Sequence, residues 1–102
     1  MAVCGGLGGL GELHSATAEV QKICNEVKKD VEGKLKAHFA VFKVISFRKQ
    51  TVRGYNYFVK IHVGGSKYIH VRIFVALPDE NKGPEVQSIQ NDKGKDDEIE
   101  RF

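Results

Sequence analysis

The spacing of apolar residues changes once along the chain, near Phe39, and this change constrains the fold more than any other feature. Before it, Ala16, Val20, Ile23, Cys24, Val27, Val31 and Leu35 fall into one stripe of helical period. After it, Tyr55, Tyr57, Val59, Ile61 and Val63, then Ile69, Val71, Ile73 and Val75, are all odd-numbered, the period-two pattern of strands with one buried face. One long N-terminal helix followed by strands predicts an α+β fold, an antiparallel meander whose one apolar face is covered by the helix. At 102 residues the chain is long enough for a single domain, residues 1–102.

The helix is expected over about 15–36, with Ser15 or Thr17 as cap, Gly33 near its end, and Asp30–Lys34 and Glu32–Lys36 as pairs on the wet face. The glycine-rich residues 1–13 read as a flexible N-terminal trunk. Strands are expected at about 39–49, 55–63, 67–76 and 86–91. Parity sets their register, because opposed apolar residues must share a face. Val63 is therefore placed opposite Lys67 across a loop of Gly64, Gly65 and Ser66. Lys49 is placed opposite Tyr55, leaving Gln50–Gly54 as a five-residue loop, and Val41, Ile45 and Phe47 are expected to face inward. In a meander, the loop at 50–54 and the loop at 76–85 lie at the same end of the sheet.

The chemically suggestive residues do not converge. His62 and His70 share the even, helix-free face, where they read as solvated, and the register sets Lys60 between them with no third ligand, so no metal site and no cofactor is expected. Cys24 sits on the helix stripe as a core residue, and no nucleophile elbow or phosphate loop occurs, so the chain does not read as an enzyme. Sixteen basic against thirteen acidic residues leave a net charge of +3, and Arg48, Lys49 and Arg53 cluster near one loop. The adjacent Tyr55 and Tyr57 point inward rather than out to stack bases, so no nucleic-acid partner is expected. No apolar stretch approaches a membrane span, the N-terminus lacks a secretory pattern, and two cysteines in no metal-like spacing suit a reducing, cytoplasmic setting. The protein is expected to be a monomer, with Cys4 as the thiol through which a disulfide-linked dimer would form. Val52, and Leu77 with Pro78, put apolar groups on two loops at one end of the sheet, the outline of a narrow hydrophobic wedge.

QTVRG between two strands, then YNYFVKIHVG and LPDEN, resembles the stefins, the intracellular type 1 cystatins that inhibit papain-like cysteine proteases. The leader GGLGELHSATAEVQ and the end KDDEIERF extend the resemblance from Gly8 to Phe102. It implies the cystatin fold and a three-part wedge, made of the trunk and two hairpin loops, that fills the active-site cleft of a cathepsin-like protease without offering a scissile bond. Matching positions imply that Gly8 and Gly9 form the trunk contact, Gln50, Thr51, Val52, Arg53 and Gly54 the first loop, and Leu77 with Pro78 the second. The repeated GGL leaves a second trunk register open, with Gly5 and Gly6 in place of Gly8 and Gly9. The family's first loop is QVVAG, so Thr51 and Arg53 are departures, and they motivate an alternative reading as a cystatin-fold interaction module with little protease inhibition.

Overall fold

A computed structural model describes residues 10–100 and 102. The elements run β1 (His14–Ser15), α1 (Ala18–Leu35), β2 (Lys43–Val52), β3 (Gly54–Gly64), β4 (Lys67–Val75), a 3-10 turn (Pro78–Glu80) and β5 (Glu85–Lys93). The five strands form one antiparallel sheet in chain order. Of the two candidate caps, Thr17 performs the role: its hydroxyl accepts the Val20 N–H at 3.2 Å. The helix runs past Gly33 and stops where Lys36 turns left-handed, at φ 53°, and donates its amide back to Glu32 and Gly33. Glu32 is not committed to the i,i+4 pair, since its carboxylate accepts the Phe39 N–H at 2.8 Å and fixes the turn out of the helix.

The odd-numbered face of the sheet packs on the helix. Val20, Cys24, Val27 and Val31 meet Tyr57, Val59, Ile61, Ile69, Val71 and Ile73 in one cluster, where each fully buried aliphatic side chain contributes roughly 2 kcal/mol by leaving water. Gln21 joins the helix to the first long strand: its amide group donates to Phe42 O at 3.0 Å and accepts from Val44 N at 2.8 Å, as a neighbouring strand would.

Two departures from the expected register have physical causes. A bulge at Ile45 inserts one residue into β2, so that Val44 is buried against the helix while Val41 and Ile45 are exposed, contrary to the inward placement of those two. Beyond the bulge Lys49 pairs with Tyr57 rather than Tyr55, and Val52 pairs with Gly54. Parity survives, but the strands continue to the tip and the five-residue loop contracts to Arg53 alone. At the other hairpin His62 pairs with Tyr68 as expected, and the ladder then shifts so that Gly64, not Val63, stands opposite Lys67 across Gly65 and Ser66.

The even face is not solvated. Residues 94–100, with Phe102, fold back over it as a strap, burying Ile99 and setting Phe102 edge-on to Phe58 with ring centroids 5.5 Å apart. His70, expected in solvent, is 0% exposed beneath it. His62, the other histidine of this face, keeps partial exposure, with Nε2 2.8 Å from Gly65 O.

Candidate functional site: a wedge at one end of the sheet

Three segments meet at the end of the sheet where β2 turns into β3. The first is the trunk. Gly11 donates its N–H to Lys49 O at 2.8 Å, and Arg48 Nε donates to Gly11 O at 2.9 Å, so the chain runs along the edge of β2 towards the tip. A Cβ on Gly11 would stand 2.9 Å from Lys49 O, so this close approach needs glycine. The expected trunk residues Gly8 and Gly9, their alternative Gly5 and Gly6, and Cys4 lie outside the described residues.

The second segment is the β2–β3 turn. Gln50 is buried and its side-chain oxygen accepts from Asn56 Nδ2 at 2.9 Å, a cross-strand bond that holds the turn's base. Thr51 and Arg53 are exposed and Val52 is half-buried, so these three present the outward surface. Gly54 is buried at φ 110°, and a Cβ there would lie 2.5 Å from Val75 O and 3.2 Å from the Ala76 Cα. That contact ties the second segment to the third, which starts one residue later with Leu77, 40% exposed. Pro78 opens the 3-10 turn, closed by Glu80 N donating to Leu77 O at 3.0 Å.

Along this end of the sheet the described order is Gly11, the β2–β3 turn and the segment from Leu77. Of the basic cluster, Arg48 is engaged with backbone carbonyls, and Lys49 lies over the Tyr55 ring at 4.1 Å. Arg53 is exposed at the apex. Sequence reasoning assigned nothing to Gly11, Arg48 or Asn56, and the available signals were slight: a further glycine in a glycine-rich leader, and one Asn opposite one Gln once the register is known.

Catalytic or metal chemistry gains no support from the geometry. Among the described residues no three His, Cys, Asp or Glu side chains stand close enough to hold an ion. Burial pushes the Cys24 thiol up to about 12, so it is neither a thiolate nor accessible at neutral pH. No helix of the described residues is long and apolar enough to cross a membrane.

Comparison with known proteins agrees with this architecture. The cystatin domain matches residues 8–95. Cystatin-A1 of Sus scrofa is 42% identical over 95 residues, covering 93% of this chain and 92% of its own. Leukocyte cysteine proteinase inhibitor 1 of Sus scrofa is 43% identical over the same lengths, and Cystatin-B of Homo sapiens is 45% identical over 87 residues, 85% of this chain and 89% of its own. With a single helix against a five-stranded antiparallel sheet and relatives of this similarity, the chain belongs to the cystatin family, among the stefins, whose members inhibit cysteine proteases and are not enzymes.

Proposed function

We propose that this protein is a reversible, competitive inhibitor of papain-like cysteine proteases of the cathepsin type, acting in the cytoplasm. It would enter the active-site cleft with the trunk at Gly8 and Gly9, the first turn at Gln50, Thr51, Val52, Arg53 and Gly54, and the second at Leu77 and Pro78. The observation that carries this reading is the alignment of three segments along one sheet edge, with Gly54 packed on the backbone at Val75 and Ala76. Because the two turns are preorganised by the sheet, little ordering entropy is lost there on binding, and a few apolar anchors suffice for tight association. Gln50 and Gly54 serve by shaping the turn, while Thr51, Val52, Arg53 and Leu77 offer the contact surface.

Titration of an active-site-counted papain-like protease tests the proposal: stoichiometric inhibition at nanomolar protein supports it. No inhibition at micromolar concentration defeats it and favours the interaction module, for which Thr51 and the exposed charge of Arg53 are the motive. The trunk has its own test. Removing residues 1–4 should change inhibition little, whereas removing residues 1–9 should raise the dissociation rate at least about tenfold, since losses within one interface appear mainly in k_off. If the shorter deletion causes the full loss, the trunk register is Gly5–Gly6; if neither matters, the trunk takes no part.

The two thiols should behave oppositely. Under oxidising conditions the otherwise monomeric protein should give a disulfide-linked dimer on a non-reducing gel that Cys4→Ser abolishes and Cys24→Ser does not, because Cys24 is sealed in the core with its thiol protonated. A dimer that survives Cys4→Ser would show that the core opens enough to release Cys24.

A further inference from the structure

The sheet face opposite the helix is closed by the strap, and three cations of the sheet hold it by its backbone. Arg48 Nη1 donates to Ile99 O at 3.0 Å, Lys60 Nζ to Lys95 O at 2.7 Å and Arg72 Nη1 to Phe102 O at 2.5 Å. Beneath lies His70, fully buried, with neither ring nitrogen hydrogen-bonded. Its β5 neighbour Gln90 stands opposite it in the sheet, the one neutral side chain whose hydrogen bonding opposes the effect of burial on the ring. The charged groups that face the ring are Lys60 from β3, Lys93 from β5 and Asp97 from the strap, with Arg72 next along the same face of β4. Two cations thus act on the imidazole against one carboxylate, and that carboxylate already accepts the Gly94 N–H at 2.7 Å. The packing is incomplete on the β2 side, where a cavity of about 430 Å³ runs between Ser46, Arg48, Lys60 and strap residues 95–99.

We propose that the strap is an acid-released latch: protonation of His70 lifts residues 94–100 and Phe102 from the sheet while the helix and the meander remain folded. An imidazolium in the closed state would be buried beside Lys60 and Lys93, a cost that Gln90 and Asp97 offset only in part, and lifting the strap gives it water. Burial first, then Lys60 and Lys93, lowers the His70 pKa from 6.5 to about 4 in the closed state. The open state therefore binds the proton more tightly. Closure has its full stability above pH 6.5, loses it as pH falls towards 4, and loses no more below that. Asp97 stays ionised through most of this window, its carboxyl held below the ordinary value by the Gly94 bond first and by the nearby cations. Because Arg48 holds both Ile99 of the strap and Gly11 of the trunk, release on one face reaches the base of the wedge.

Amide and histidine-ring NMR spectra of the full chain, recorded from pH 7.5 to 3.5, test the latch. The strap amides should leave their native positions in one transition between pH 6.5 and 4, coincident with the His70 ring, as the opening constant rises on the order of 100-fold. Amides of α1, β3 and β4 should stay in place, and His70→Phe should hold the strap closed throughout. Strap amides that do not move, that move with a midpoint different from the ring's, or that move together with the helix would overturn the proposal. Should His70→Phe fail to fold, the coincidence of ring and strap in the native protein decides alone.

Discussion

Gly54→Val should lower the melting temperature by more than 10 °C and, in whatever fraction stays folded, separate the two turns of the wedge. Two effects add at this position. The backbone stands at φ 110°, where a β-branched residue is strained, and the new Cβ would sit 2.5 Å from Val75 O, a backbone atom that cannot swing aside. Together these cost about 3 kcal/mol, and for a domain of this size each kcal/mol corresponds to roughly 4–8 °C. Gly64→Ala is the matching control, because Gly64 has a similar φ of 117° but nothing within 4 Å of its Cβ position and lies at the far end of the sheet. It should lose stability through strain alone and keep full inhibition. Equal losses in the two variants, by calorimetry and protease titration, would show that the contact between the turns is unimportant.

Val52→Asp should weaken inhibition by at least about 2 kcal/mol, roughly 30-fold, because a carboxylate replaces an apolar anchor that must desolvate in the cleft. A fully exposed Val52 would leave stability untouched. The structure shows the side chain half-buried beside the turn, so a smaller stability loss, about 1 kcal/mol, should accompany the change. Inhibition constants measured beside thermal melts separate the two effects. A large fall in melting temperature with inhibition intact would make Val52 a structural residue and leave Thr51, Arg53 and Leu77 to carry the contact.

The bulge at Ile45 and the strap mark where sequence patterning stops being informative. The odd-parity rule holds through β3 and β4 because each pair is local: a turn of a few residues forces neighbours together, and a slip of one residue would expose the whole apolar face. In β2 the rule fails upstream of Ser46, since one inserted residue reverses every face before it, and Val41, Ile45 and Phe47 show the same odd parity with or without a bulge. The extent of the β2–β3 hairpin was likewise hidden. Both registers keep odd opposite odd, and only the packing of Gly54 against the backbone of Val75 and Ala76 selects the tighter one.

Periodicity and turn residues by themselves determined the helix, the order of the four long strands and the end of the sheet at which two turns meet, because these depend on interactions between near neighbours in the chain, whereas the short edge strand His14–Ser15 left no periodic signal. The tertiary structure alone decided what covers the second face and therefore the state of His70. Phe58, an apolar residue at an even position, was the visible sign that this face is not wet, yet it does not name its partner. That partner is Phe102, 44 residues away in sequence, brought there with Ile99 by three cations that bond backbone carbonyls. Carbonyl groups are the same at every residue, so the positions they occupy in space leave no trace in residue type.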